Sequence, residues 1–363
     1  MATIAFARGN PTPDALPVQE IAECARAAVE HDGRIILNYG PVGGYPPLRE
    51  WVAAQHGVEP TQIFLTNGSL QGLSLIASLL VEPGSRVLVE GPTYDRALKI
   101  VDREGGCAVT LPMDDDGLDP DALEDGAAFL YTIPTFQNPT GRTLSLERRR
   151  RLAELAREGR LLVMEDDPYR HVRFEGEELP TIWELAEGEG VVYSFSFSKI
   201  VAPGLRVGYL VAPADLVARI EALAVQTYLS PALLPEATVF EFVQRGLLEP
   251  SLERIRSMIG ERRDAMLEAL AAELPEGSRW SRPEGGYFLW LDLPEETDSR
   301  ALLARGDEAG VTFVPGTEFF PGGADGLSSA RLAYSFVSPA EVRTGVKRLG
   351  ALLREPAPSV VSV

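Results

Sequence analysis

Short apolar runs and helix-periodic stretches alternate between residues 63 and 212, and no other feature of the chain constrains its fold as strongly. Apolar runs fall at residues 63–66, 86–90, 107–111, 128–132, 161–165, 191–197 and 207–211, with helical patterns between most of them, as at 69–80 and 144–158. Such runs are too short for independent helices and suit strands buried on both faces. Repetition of strand, helix and strand predicts an α/β domain with a mostly parallel central sheet. A long helix is expected at 252–270, where Leu252, Ile255, Ile259, Met266 and Leu270 share one face. Beyond it come a strand at 287–291, a helix near 300–309, strands near 311–314 and 331–336, and a last helix at 339–354. These predict a smaller α+β domain. The expected division is residues 40–248 as the large domain, and 1–39 with 249–363 as the small one. The tail, 355–363, is expected to fray.

In an open parallel sheet, ligands bind beyond the carboxyl ends of the strands. Polar residues that follow the apolar runs are therefore the first candidates for chemistry. The run ending at Phe197 leads into Ser198 and Lys199, and then a Pro203-Gly204 turn and Arg206. A lysine amine partly removed from water loses its proton more readily and can attack a carbonyl. Ser196, Ser198 and the planar donor fork of Arg206 suit a phosphate. A lysine nucleophile beside a phosphate cradle points to a phosphorylated aldehyde, pyridoxal phosphate (PLP).

Other strand ends offer partners for such a cofactor. Thr66-Asn67-Gly68-Ser69-Leu70 ends a strand and opens a helix, which presents N–H groups to an anion or is simply a Ser-capped helix. Tyr94 could stack on a flat heterocycle or serve packing. Asn138, before Pro139, could hold a phenolate oxygen, although Asn-Pro also marks loops generally. In Glu165-Asp166-Asp167, one carboxylate could pair with a protonated pyridine nitrogen and keep the ring able to accept electrons. Strand alternation sends neighbours to opposite faces, so at most one of the three is correctly placed. Arg331 starts a strand of the second domain and could clamp a substrate carboxylate.

In their order and spacing these segments resemble fold-type I PLP-dependent aminotransferases of class I/II. Within that family they look most like the bacterial branch that includes 2-aminoadipate, aromatic and branched-chain aminotransferases. The most specific pieces are Gln137-Asn138-Pro139-Thr140-Gly141, Glu165-Asp166-Asp167-Pro168-Tyr169, and Ser196-Phe197-Ser198-Lys199 with Pro203-Gly204-Leu205-Arg206. Asn38-Tyr39-Gly40 and Pro283-Glu284-Gly285-Gly286-Tyr287-Phe288 also match, and the likeness runs from Phe6 to Arg331. The resemblance implies ping-pong transfer of an amino group from an L-amino acid to a 2-oxo acid. It implies that Lys199 carries the cofactor as an internal aldimine and shuttles the proton. Asp166 then pairs with the pyridine nitrogen, Asn138 and Tyr169 bond the phenolic oxygen, and Tyr94 stacks on the ring. Gly68, Ser69, Leu70, Ser196, Ser198 and Arg206 hold the phosphate. Arg331 binds the α-carboxylate, with Gly9 and Asn138 beside the substrate. Tyr39 reaches the partner subunit's phosphate, which implies a homodimer with shared sites.

Two positions depart from the family pattern. Leu70 stands where glutamine is frequent, a small change if backbone N–H groups carry the contact. Arg8 stands where this branch usually has glycine. It is expected either to pair with a distal carboxylate, favouring glutamate or 2-aminoadipate, or to pack against an aromatic ring.

Composition narrows the alternatives. A net charge of -19 argues against nucleic acid or an anionic membrane as partner. Cys24 and Cys107 are too few for a disulfide framework and are expected in the core. No apolar run is long enough to span a membrane, and the first residues lack a basic region followed by an apolar stretch, so the cytoplasm is expected. His31, His56 and His171 lack metal-ligand spacing. A PLP-dependent lyase or decarboxylase is the alternative on the same fold. A non-enzymatic PLP-binding regulator is opposed by the acidic balance and by the short stretch before residue 40.

Overall fold

The computed structural model describes residues 3–323 and 325–355. The tail expected to fray lies outside these residues except for Glu355. The N-terminal segment supplies a two-residue strand, β1 (Ile4–Ala5), then helices α1 (Val18–Ile36) and α2 (Pro46–His56). The alternating region follows as β2 (Ile63–Thr66), α3 (Ser69–Leu80), β3 (Arg86–Gly91), α4 (Asp95–Arg103), β4 (Cys107–Asp114), β5 (Gly117–Leu118) and β6 (Phe129–Thr132). It continues through α5 (Leu146–Arg157), β7 (Val163–Asp166), the single turn α6 (Ile182–Leu185), β8 (Val191–Ser196) and β9 (Gly208–Val211).

These strands form one eight-stranded sheet in the order β2-β9-β8-β7-β6-β3-β4-β5. The neighbours from β8 across to β4 run parallel. β9 is antiparallel to β8 and β2, and β5 is antiparallel to β4. Every residue of β2, β6, β7, β8 and β9 is buried. Cover on both faces explains why these strands read as unbroken apolar runs rather than as an alternating pattern.

The rest of the chain adds α7 (Ala214–Tyr228), α8 (Leu233–Gln244), α9 (Leu248–Glu273), β10 (Arg279–Trp280), β11 (Phe288–Asp292), α10 (Ser299–Ala309), β12 (Val311–Thr312), β13 (Val314–Pro315), β14 (Ser329–Ala333) and α11 (Pro339–Arg354). A second, antiparallel sheet has the order β10-β11-β14-β13. The five residues predicted to share one face of α9 are all buried, and α9 packs against α11. α11 starts where Ser338 and Glu341 form a reciprocal cap with Pro339 at the first turn. The single strand expected at 311–314 divides in two: β12 pairs with β1, and β13 pairs with β14.

The first residues form a strap on this C-terminal part. Phe6 N donates to Thr312 O, Ala333 N donates to Phe6 O, and the Phe6 ring lies against Gly345 of α11, where any Cβ would come within 2.5 Å of it. α1 instead packs along α8. α8 was hidden in the sequence because it buries residues on every side, including Glu236 and Glu241, and so shows no apolar stripe. Cys24 is buried as expected, but Cys107 is exposed. It is the first residue of β4, just after the Gly105-Gly106 turn, where the strand has not yet entered the core.

Candidate active site

The carboxyl ends of β2, β6, β7 and β8 face the small sheet across a cleft of about 360 Å³. β8 leads into a short turn, Phe197–Lys199, that lifts the lysine off the strand. Phe195, Phe197 and Tyr209 pack their rings behind that turn. Lys199 Nζ donates to Gly9 O at 3.1 Å and lies 5.7 and 5.6 Å from the Tyr169 and Tyr287 ring centres. Burial first, and then the positive charges of Arg331 and Arg206, lower its amine to about 8.

An anion cradle adjoins the lysine. Ser196 Oγ donates to Ser198 Oγ at 2.9 Å, Arg206 Nη1 donates to Ser198 Oγ at 3.1 Å, and Arg206 Nη2 donates to Asn67 O at 2.7 Å. Gly68 precedes α3 with φ +82°, and a Cβ there would lie 2.6 Å from Arg206 Nη2. Glycine is needed for both the backbone angle and the close approach. The first N–H groups of α3, at Ser69 and Leu70, open toward the same place.

Asp166 ends β7. Its Oδ2 accepts from Tyr131 Oη at 2.8 Å, while its buried Oδ1 has no partner. Burial raises the carboxyl to about 6, with the Tyr131 hydroxyl pulling it back down. An orphaned buried carboxylate oxygen is costly, and a cationic N–H donor would satisfy it. Glu165 faces the other way, accepting from Ile182 N at 3.0 Å and Trp183 N at 2.8 Å at the start of α6. Asp167 lies beyond the strand, near Arg170 and Arg149. Of the three carboxylates, only Asp166 lines the cleft. Tyr131 escaped the sequence reading. Its signal was a tyrosine inside an apolar run, whose hydroxyl needs a partner once buried.

From the small sheet, Arg331 reaches across from the middle of β14. Its Nη1 donates to Asn138 Oδ1 at 3.0 Å and its Nη2 donates to Ala7 O at 2.9 Å, while the buried Nε is unpartnered. The guanidinium lies 4.4 Å from the Phe288 ring centre and 5.1 Å from that of Phe319. Gly9 closes one wall so tightly that a Cβ would meet Phe288 Cζ at 2.3 Å. Tyr94 and Tyr169 also line the cleft, with Tyr169 edge-on to Phe288.

The cleft thus gathers Lys199, Asp166, Asn138, Arg206, Arg331, Ser69, Leu70, Ser196, Ser198, Tyr94, Tyr169 and Gly9. Gly68 stands behind Arg206 rather than in the lining. Tyr39 is 80% exposed and outside the cleft of its own chain. Arg8 is exposed and packs 5.0 Å above the Phe336 ring, which takes it out of the lining and realises the aromatic-packing alternative. Asp95, Arg96, Ile133 and Phe288 also line the cleft, although no sequence signal had marked them as site residues. Among the described residues no cluster of His, Cys, Asp and Glu is suited to a metal ion.

The lining fits PLP. It offers an anion cradle, an unsatisfied carboxylate oxygen for a pyridinium N–H, and a lysine amine of lowered basicity between them. Comparisons with known proteins agree. The sequence model for aminotransferase class I and II matches residues 3–349. A 2-aminoadipate transaminase of Thermus thermophilus is 38% identical, the match covering 97% of this chain and 90% of that protein. Aromatic-amino-acid aminotransferase 1 of Thermococcus litoralis is 35% identical over 97% of this chain and 88% of its own length. The crystal structure of a Thermus thermophilus α-aminoadipate aminotransferase complexed with N-(5'-phosphopyridoxyl)-L-leucine superposes with a TM-score of 0.92. It is 38% identical and covers 97% of this chain and 92% of that one.

Proposed function

The chain belongs to the aminotransferase class I and II family and is a PLP-dependent aminotransferase, and from that premise we propose a role for each residue of its cleft. The unpartnered Oδ1 of Asp166 carries the assignment, because it belongs to the carboxylate of the three that lines the cleft. Asp166 would hold the pyridine nitrogen, Asn138 and Tyr169 the phenolic oxygen, and Tyr94 the ring face. Gly68, Ser69 and Leu70 at the start of α3 would hold the phosphate together with Ser196, Ser198 and Arg206. Bound there, PLP supplies a carbonyl that takes up the amino group and a cationic ring that stores the electron pair left at the substrate's Cα.

The remaining work falls to side chains. Arg331 grips the substrate's α-carboxylate with a planar fork, held in place between Phe288 and Phe319. Lys199 takes the proton from Cα and returns it, its basicity lowered toward the working pH. Leu70, Ile133 and Phe288 keep water from the reacting carbon. For the substrate side chain we propose an acidic donor such as glutamate or 2-aminoadipate. The cleft cation that would serve a distal carboxylate is Arg96, here paired with Asp95 at 3.5 Å, rather than Arg8.

A homodimer with shared sites is part of the same proposal. Val29 and Ile35 of α1, Leu37 and Tyr39 after it, and Val225 and Leu229 at the end of α7 are exposed large apolar residues. Gly40 N donates to Ser230 Oγ, which draws the two segments together, and an exposed apolar patch of this kind suits an interface. Tyr39 would then serve the partner's phosphate. A cytoplasmic location is proposed too, since a reducing compartment keeps the free thiols of Cys24 and Cys107 as they are.

The test is a half-reaction. Amino acids are added to the purified holoenzyme without acceptor and without oxygen, and the cofactor spectrum is followed. Conversion from the carbonyl form to the amine form is expected. No change across a broad panel would refute amino transfer, and stoichiometric release of ammonia, thiol or carbon dioxide would indicate the lyase alternative.

A further inference from the structure

Glu90, near the end of β3, does not line the cleft, yet it is only 1% exposed. Its carboxylate accepts from Thr132 Oγ1 at 2.7 Å, from Ile133 N at 3.2 Å on both oxygens, and from Gln137 Nε2 at 2.9 Å. Gln137 spends its entire amide at this point. Nε2 also donates to Pro92 O at 2.8 Å, and Oε1 accepts from Thr140 N at 2.8 Å and Thr140 Oγ1 at 2.7 Å. The next residue, Asn138, accepts from Arg331. One buried carboxylate therefore ties together three segments that line the cleft: the Pro92 turn leading to Tyr94, Ile133 at the end of β6, and the loop of Asn138. Neutral groups could close any one of these turns, but a carboxylate acceptor fixes which way the Gln137 amide faces.

We propose that Glu90 is a positioning residue of the amino transfer. Through Gln137 it holds Asn138 in the one place that serves the cofactor's phenolic oxygen and Arg331 together. The proposal rests on the role assigned to Asn138 above.

Glu90→Met tests it with little change of length. It removes both acceptor oxygens, so Gln137 Nε2 keeps only Pro92 O and the Ile133 N–H loses its partner. Gln137 then lacks the charged acceptor that holds its amide, and Asn138 loses its anchor with it. The expected result is a rise in KM for the amino donor of about tenfold, the scale of one displaced charge-assisted hydrogen bond. It should come with a shift in the pH midpoint of the bound cofactor's absorbance, which reports on the phenolic oxygen. Thr140→Val loosens the far side of Gln137 and should move both readouts the same way, less strongly, even if Glu90→Met does not fold. Loss of thermal stability with parental midpoint and KM in either variant would overturn the proposal. Asn138→Ala separates the two layers of the argument. If it moves both readouts while the Glu90 and Thr140 variants move neither, the Glu90 role fails alone. If it too moves neither, the assignment of Asn138 fails with it.

Discussion

A lysine works as nucleophile or base only when neutral, so the environment of Lys199 decides the pH at which it can act. Burial, Arg331 and Arg206 all oppose its charge and bring it to about 8. Capture of cofactor by the apoenzyme should therefore accelerate as pH rises and level off above about 8, measured by rapid mixing and absorbance. Arg331→Leu removes a positive neighbour, so the amine should hold its proton to higher pH and the midpoint should move upward. A midpoint that stays put, or moves down, would show that Arg331 does not act on the lysine. The sequence showed Lys199 as a polar residue just beyond an apolar strand, and the same criterion found Asp166 and Asn138. It could not show what brings the lysine to its working range. Arg331 comes from the small sheet and Gly9 from the N-terminal strap, and only the folded chain sets them beside Nζ. Arg8 illustrates the same limit, because neither of its two readings could be chosen before Phe336 was in place.

At the scale of the element, β7 separates stability from chemistry within two consecutive residues. Alternation turns Glu165 to one face, where it caps α6, and Asp166 to the other, where it faces the cleft. Asp166→Asn should weaken cofactor binding at least tenfold while leaving the apoprotein as stable as before or more so, because it removes a buried charge with an unpartnered oxygen. Glu165→Gln should do the reverse. It turns an NH2 group toward one of the two N–H donors and costs about 2 kcal/mol of stability, with cofactor affinity unchanged. Burial raises Glu165 to about 7, so both measurements belong at pH 8, where it is ionised. Denaturant titration of apoprotein and equilibrium dialysis of cofactor give the two readouts, and equal effects of the two variants would defeat the argument. The strands were readable for the reason that makes β7 informative: cover on both faces leaves them apolar throughout, so a charge at the end of one stands out. Helix α8 was missed for the opposite reason. α8 is buried all round and lies outside the alternating region, so neither an apolar stripe nor its position marked it.

On the scale of the whole molecule, the cleft draws its lining from the large sheet, the small sheet and the N-terminal strap, whereas Tyr39 belongs to the surface. Residues 29–39 and 225–229 are far apart in sequence, and only the fold brings the ends of the two segments together, where Gly40 N donates to Ser230 Oγ. In the two-fold dimer proposed above these exposed apolar side chains would meet their own copies, and each Tyr39 would be presented to the other subunit. This arrangement can be distinguished from a dimer that merely buries apolar surface. A Lys199→Ala subunit lacks the amine of its own site but still lends Tyr39. A Tyr39→Ala subunit keeps its own amine but lends nothing. In a mixed dimer one site inherits both defects and the other neither. Unfolding and refolding the two impaired variants together at equal amounts should therefore restore about a quarter of the parental sites, since half the dimers are mixed and each carries one intact site. Activity per subunit in the mixture should exceed the mean of the two parents assayed apart. Activity equal to that mean would place Tyr39 outside the partner's site, and the exposed patch would then be an interface without a share in the chemistry.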